Sequence, residues 1–73
     1  MKAAIKNIVQ KLVVKKVNED EALISSGLID SVIIVELILE IEKELGISVA
    51  LDEVSEQNFD SINKLHQYLL GKM

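Results

Sequence analysis

The 73-residue chain contains no cysteine and no proline, and it has only three glycines, two aromatic residues and one histidine. Without cysteine the protein has no disulfide framework, no thiolate nucleophile and no cysteine-based metal site, and its composition is compatible with a reducing cytosol. A single histidine cannot form a cluster of imidazole ligands. The sequence therefore predicts no resident metal, and we expect a cytoplasmic protein.

Charge is distributed unevenly along the chain. Residues 1–16 contain five lysines and no acid, whereas residues 17–73 contain three lysines and all twelve acids, for a net charge of −4 overall. An acidic domain with almost no aromatic side chains is a poor nucleic-acid binder, so basic partners are expected instead. Because lysines interrupt every apolar stretch near the N-terminus, we expect neither a signal peptide nor membrane insertion.

The length and the apolar content of 49% predict one domain over residues 1–73. Apolar residues at helical spacing predict an amphipathic first helix over about residues 2–15: Ile5, Ile8, Val9 and Leu12. The polar segment from Asn18 to Ser26 is expected to be an ordered loop, anchored in the core by Leu23 and Ile24.

The segment GLIDSVIIVEL, residues 27–37, supports two structural interpretations. Four β-branched residues, Val32 to Val35, favour a strand by propensity alone. However, the apolar pattern continues to Gly46, and fifteen residues are too many for an ordinary strand. We therefore predict a helix over 31–45, with Asp30 as its N-cap, Ser31 as its first residue and Gly46 after its end.

The remainder of the chain predicts an extended stretch from Gly46 to Leu51 and one or two helical turns between Asp52 and Asn58. A last helix is expected over about 61–70, capped by Asp60 and ended by Gly71, with three inward residues: Ile62, Leu65 and Leu69. The predicted fold class is all-α, a small bundle of three main helices plus one short helix.

A helical wheel of residues 31–45 shows two apolar groups. The first has the width of a core stripe: Ile34, Leu37, Ile38, Ile41 and Leu45. The second lies on another side, beside Glu36, Glu42 and Lys43, and comprises Val32, Val35 and Leu39. This second group is either a further buried stripe under the loop or a protein-docking patch.

The chain resembles the acyl carrier protein family, which includes peptidyl and aminoacyl carrier domains. The resemblance rests on Asp30-Ser31 at a helix start, preceded by Gly27-Leu28-Ile29 and followed by Val35-Glu36-Leu37 and an acidic helix. The basic first helix, the Gly-Ile-Ser-Val stretch and a last helix with Tyr68-Leu69 extend it over nearly the whole chain. The second Asp-Ser pair, Asp60-Ser61, lacks this context and is interpreted as a plain helix cap.

The resemblance implies that Ser31 is the attachment point of 4′-phosphopantetheine, transferred from coenzyme A by a holo-carrier-protein synthase with Mg²⁺. It also implies that Asp30 lies near the metal and the cofactor during this loading. The cofactor would supply the thiol that the chain itself lacks and hold the cargo as a thioester. At the helix start, the hydroxyl of Ser31 is expected to face solvent.

The resemblance also favours docking as the role of the second apolar group. It implies a surface for partner enzymes formed by Val32, Val35 and Leu39 with Glu36 and Glu42, to which Ile33 would contribute apolar contact. Ile33 and Lys43 stand where fatty-acid carriers usually have acids. Both departures favour a D-alanyl, aminoacyl or other specialised carrier.

Three functional hypotheses remain open on the sequence. The first is a stand-alone carrier of acyl or aminoacyl groups, loaded by a ligase and unloaded by downstream transferases or synthases. The second is a dedicated D-alanyl or aminoacyl carrier that works with an adenylating ligase. The third is an unmodified helical adaptor. An enzyme is disfavoured because no catalytic constellation can be assembled from these residues.

Overall fold

A computed structural model describes all residues from Met1 to Met73. Four α-helices follow one another along the chain: α1 (Lys2–Val13), α2 (Ser31–Leu45), α3 (Glu56–Phe59) and α4 (Ile62–Leu70). A short 3₁₀ helix, Leu51–Glu53, lies between α2 and α3. The prediction of an all-α bundle with three main helices and one short helix is confirmed. None of the helices combines the length and the apolar character that a membrane span requires.

The core forms where α1 packs against both α2 and α4, while α3 packs against α4. Leu37 and Ile41 are buried on α2, and the predicted inward residues of α4 are all buried. Ile34 and Leu45 are half-buried against the same core. The sequence did not identify three further core side chains, which come from loops or the short helix: Val17, Ile29 and Phe59.

The boundaries of α2 agree with the prediction at both ends. The carboxylate of Asp30 accepts a hydrogen bond from the backbone N–H of Ile33 at 3.0 Å, which satisfies one unpaired donor of the first turn. Gly46 ends the helix in the left-handed region, with φ 69°, where a residue without a Cβ is favoured.

The end of α1 was predicted two residues too late. The helix ends at Val13, and Val14 adopts a left-handed conformation with φ 57° although its side chain is β-branched and 85% exposed. The next residues turn back onto the bundle because Val17 is buried and its N–H donates to the side chain of Gln10 at 2.9 Å. Tertiary contacts therefore overrule the local helical pattern at this position.

The prediction that Asp60 caps the last helix is wrong. Asp60 itself has a helical conformation, with φ −79° and ψ −3°, because it continues directly from α3. Ser61 is extended, with φ −156° and ψ 164°, and its hydroxyl accepts the N–H of Lys64 at 3.0 Å. Ser61 is therefore the cap, and the helix begins at Ile62 rather than at residue 61.

Candidate functional site

The start of α2 presents Ser31 to solvent. Ser31 is the first residue of the helix and is exposed, as predicted. Two residues before it, the side chain of Ile29 is buried and fixes the direction of the incoming chain. Because Asp30 already caps the helix, the Ser31 side chain is left without a structural task at this end.

Hydroxyl groups elsewhere in the protein are all used in internal hydrogen bonds. Five of the six serine hydroxyls bond to protein atoms, and the Tyr68 hydroxyl donates to Glu53; the five serines are Ser25, Ser26, Ser48, Ser55 and Ser61. The chain contains no threonine. Ser31 is thus the one hydroxyl that forms no hydrogen bond within the protein, and a reacting partner can approach it without breaking one.

Helix geometry also suits a phosphate at this position. The first N–H groups of a helix lack internal acceptors and point toward its N-terminal end, where the helix dipole favours negative charge by about 0.3–1 kcal/mol. In α2 the carboxylate of Asp30 already accepts a hydrogen bond from one of these donors, the N–H of Ile33. Its negative charge also offsets part of the favourable dipole effect for a second anion.

Three apolar side chains continue from Ser31 along one face of α2. Their exposed fractions are 65% for Val32, 46% for Val35 and 61% for Leu39. A shallow surface depression is lined by Ser31, Val32, Val35 and Glu36. The alternative that these valines and this leucine form a second buried stripe is therefore wrong.

Ile33 differs from its neighbours because it is half-buried and packs against the core. Only part of its side chain is available to a partner, so its predicted contribution to an apolar contact surface is smaller than that of Val32. Ile38, which the helical wheel places in the core stripe, is half-buried and lies outside the main core cluster.

The acidic side chains of α2 divide between two sides of the helix. Glu40 and Glu44 approach Lys11 of α1, with N–O distances of 3.5 and 3.9 Å. Glu36 and Glu42 are exposed and form no ion pair, although Glu42 accepts a hydrogen bond from the hydroxyl of Ser48 at 3.1 Å. The negative potential beside the exposed apolar face therefore comes mainly from Glu36 and Glu42.

Sequence reasoning missed one polar feature near this site. Asp60 binds the loop that leads into α2, through hydrogen bonds with the backbone N–H groups of Leu23, Ile24 and Ser25. No local pattern indicates this contact, because it joins positions more than thirty residues apart. Because Asp60 closely precedes a helix, its sequence position predicts a helix cap and gives no sign of this contact with the loop.

The small helical bundle and the exposed serine at the start of its second helix are the arrangement that the sequence resemblance leads us to expect. A family model described as a phosphopantetheine attachment site matches residues 3–69. The chain belongs to this phosphopantetheine-attachment family, so it is a carrier protein whose prosthetic group is covalently bound 4′-phosphopantetheine.

Curated relatives extend over most of the chain. A D-alanyl carrier protein from Streptococcus suis (strain 98HAH33) is 37% identical over 67 residues, covering 89% of this chain and 85% of the relative. D-alanyl carrier proteins from Streptococcus suis (strain 05ZYH33) and Streptococcus sanguinis (strain SK36) are 36% and 33% identical over the same shares. As a carrier, the protein requires a synthase that attaches the prosthetic group and a ligase that loads the cargo.

Proposed function

We propose that this protein is a D-alanyl carrier whose prosthetic group is attached to Ser31. The observation that carries the assignment of Ser31 is its hydroxyl, which is exposed and free of internal hydrogen bonds at the start of α2. The cargo is inferred from the curated relatives, which are D-alanyl carriers with 33–37% identity over 89% of the chain.

Attachment requires that Ser31 Oγ forms a bond to the phosphorus atom of coenzyme A that bears the pantetheine arm. The bond from that phosphorus to the adenosine bisphosphate portion breaks, 3′,5′-adenosine bisphosphate leaves, and the hydroxyl proton passes to a base of the holo-carrier-protein synthase. Mg²⁺ in the synthase complex would offset the charge of the diphosphate, and Asp30 lies next to the reacting hydroxyl in sequence. The attached group supplies the terminal thiol that holds D-alanine as a thioester.

The chain's own contribution is positioning and recognition, with no catalytic step of its own. The exposed face formed by Val32, Val35 and Leu39 provides apolar contact area next to the modified serine, and Glu36 and Glu42 provide negative charge at its edge. We assign this face to docking of the synthase, the adenylating ligase and the transferase that later removes the cargo. We place these reactions in the cytoplasm, where coenzyme A and ATP are available.

Two residues support a specialised carrier over a general fatty-acyl carrier. On α2, Ile33 is apolar and Lys43 is cationic, and two of the four acids of this helix are paired with Lys11. The field that reaches an approaching enzyme is thereby weakened. Electrostatic steering is correspondingly less important, and the exposed apolar side chains account for a larger share of the affinity.

The test is a two-stage reconstitution followed by intact mass. The purified protein is first incubated with coenzyme A, Mg²⁺ and a holo-carrier-protein synthase, and the product is then incubated with ATP, D-alanine and a D-alanyl ligase. We expect one phosphopantetheine per chain after the first stage and one hydroxylamine-labile alanyl group after the second. L-alanine and fatty acids with their own ligases are the matched cargo controls.

Each stage has its own contradicting result. No mass increase in the first stage would leave an unmodified adaptor as the better description. Full modification followed by loading with a fatty acyl group, but not with D-alanine, would overturn the cargo assignment while retaining the carrier.

A further inference from the structure

The side chain of Asp60 binds a loop that is distant in sequence, not the helix that follows it. Its Oδ1 atom accepts hydrogen bonds from the backbone N–H groups of Leu23 at 3.1 Å, Ile24 at 2.7 Å and Ser25 at 2.8 Å. Its Oδ2 atom accepts a fourth bond from the Ser25 hydroxyl at 2.8 Å. Successive N–H groups that converge on one anion form a backbone nest, and here the anion is a carboxylate of the same chain.

The bound segment is part of a closed turn that ends at Ile29, two residues before Ser31. The N–H of Ile29 donates to the carbonyl of Leu23 at 3.0 Å, and the N–H of Gly27 donates to the carbonyl of Ile24 at 3.0 Å. Leu23 is held twice, because its N–H also lies 2.8 Å from the backbone carbonyl of Asp60. A continuous chain of hydrogen bonds therefore joins Asp60 to Ile29, which precedes Asp30 and Ser31.

Burial alone does not fix this turn. Its two ends are anchored in the core by the buried side chains of Leu23 and Ile29, and Ile24 and Leu28 beside them are half-buried against it. Between them, residues 25–27 are exposed and contribute no apolar contact to the core cluster. The conformation of the middle of the turn depends on its polar contacts, and hydrogen bonds to a charged carboxylate are the strongest of these.

We propose that Asp60 is a positioning residue for the modification of Ser31. Its carboxylate holds the turn of residues 23–29 in one conformation, so that Asp30 and Ser31 reach the holo-carrier-protein synthase in a single orientation. Asp60 acts through the loop and touches neither the serine nor the cofactor. This inference rests on the proposed attachment at Ser31.

Loss of the Asp60 carboxylate should raise the KM of the synthase for the carrier more than it changes kcat. With the turn released, only part of the carrier population presents the serine correctly, and apparent affinity falls in proportion to that fraction. The correctly oriented fraction still reacts at the normal rate once it is bound. We therefore expect Asp60→Ala to raise the KM of the synthase for the carrier by about tenfold, with kcat unchanged within about twofold.

Ser61→Ala is the matched control. It removes a polar side chain from the adjacent residue and weakens the start of α4, but it leaves all four acceptor contacts of Asp60 in place. Both variants are assayed with the same synthase, at a temperature at which circular dichroism shows them fully folded. We expect Ser61→Ala to have the wild-type KM.

Hydrogen exchange provides a readout that does not depend on the synthase. The amides of Ile24 and Ser25, which have no other acceptor in the protein, should exchange at least about tenfold faster in Asp60→Ala than in Ser61→Ala. The amide of Leu23 keeps the backbone carbonyl of Asp60 as an acceptor and should change less. Asp60→Asn retains one acceptor oxygen and should show a smaller rise in KM. It also serves as the test variant if Asp60→Ala does not fold.

The possible outcomes separate this inference from the proposed function. If the wild-type protein is not modified, the function proposed for Ser31 fails. If the wild-type protein is modified but Asp60→Ala and Asp60→Asn keep the KM of Ser61→Ala, the positioning role is overturned and the carrier function stands. Unchanged exchange of the Ile24 and Ser25 amides in Asp60→Ala would also overturn the positioning role.

Discussion

The protein contains the same dipeptide, Asp-Ser, at the start of two helices, and the two copies have opposite roles. At α2, Asp30 caps the helix while Ser31 is exposed with a free hydroxyl. At α4, Ser61 caps the helix and is only 5% exposed, while Asp60 binds a distant loop. Relative to the first residue of the helix that follows, Asp60-Ser61 lies one position earlier than Asp30-Ser31.

The preceding chain explains this shift of register. Asp30 follows an irregular loop and is free to adopt the extended conformation of a cap, with φ −109° and ψ −174°. Asp60 directly continues α3 and keeps a helical conformation, so the first extended residue before α4 is Ser61. A two-residue motif therefore says little about a site until its position relative to the helix is known.

The largest expected difference between the two serines is in modification. Ser31→Ala should abolish the mass increase with coenzyme A, Mg²⁺ and synthase, because it removes the attacking oxygen. Ser61→Ala should still be modified to one group per chain, since its own side chain is buried and serves as a cap. Intact mass measures both, and any mass gain by Ser31→Ala would contradict the comparison.

The second-largest expected difference is in stability, between substitutions four positions after each serine. Leu65, four positions after Ser61, is fully buried, so Leu65→Ala should lower the free energy of unfolding by roughly 2–5 kcal/mol. Val35, four positions after Ser31, is 46% exposed, so Val35→Ser should cost within about 0.5 kcal/mol. Leu39→Ser is expected to behave like Val35→Ser.

Urea denaturation measures both effects, and transfer of cargo to a partner enzyme provides the functional counterpart. Val35→Ser and Leu39→Ser should slow that transfer although they retain stability. A loss of stability in these two variants as large as that of Leu65→Ala would show that the face beside Ser31 is structural.

A smaller difference is expected between Ser61→Ala and Ser31→Ala in the free energy of unfolding of the unmodified protein. Replacement of an N-cap by alanine costs about 1 kcal/mol, and Ser61 accepts the N–H of Lys64. Ser31 is an exposed first-turn residue that makes no internal bond, so Ser31→Ala should change the free energy of unfolding by less than about 0.5 kcal/mol. Thermal or urea denaturation measures both variants, and equal losses of free energy of unfolding in Ser31→Ala and Ser61→Ala would contradict this prediction.

The smallest predicted effect is the loss of the stability contributed by Asp60 at low pH. The backbone N–H of Ser25, followed by its hydroxyl, holds the pKa of Asp60 below its ordinary value of 3.8. A carboxyl whose folded-state pKa is depressed contributes stability above its unfolded pKa and loses it as pH falls through the folded pKa. That contribution should therefore be present above about pH 4 and fade below it.

Asp60→Asn isolates this contribution from other carboxyls. The pKa values of Glu21 and Glu53 are also lowered, mainly by hydrogen bonds from Lys15 and Lys72, and these groups respond to acid in the same direction. The difference in free energy of unfolding between wild type and Asp60→Asn should narrow as pH falls below about 4. A difference that stays constant across this range would show that the charge of Asp60 does not stabilise the fold.

Several features of the site were predictable because their causes are local. A capping acid, fifteen residues of helical pattern and a terminal glycine determine the limits of α2, and the position of Ser31 at its first turn follows from them. The separation of Val32, Val35 and Leu39 from the core-facing stripe of Leu37 and Ile41 follows from the same helix. Their exposure does not, because the helical pattern also allowed a second buried stripe and the packing of the other helices excludes it.

Other features depended on contacts that no local pattern contains. Asp60 has a suitable sequence for a helix cap, but the end of α3 sets its conformation and the loop at 23–25 takes its carboxylate. Likewise, the left-handed Val14 has no sequence signal, and α1 ends there because burial of Val17 draws the chain back toward the bundle.

The sequence by itself determined the helical class, the start of α2 and the serine that stands there, because capping and periodicity act over a few residues. Only the tertiary structure decided which acids of α2 face Lys11 and which loop the Asp60 carboxylate binds. Those outcomes depend on segments about thirty residues apart meeting in the folded bundle, and a local pattern does not specify which segments meet.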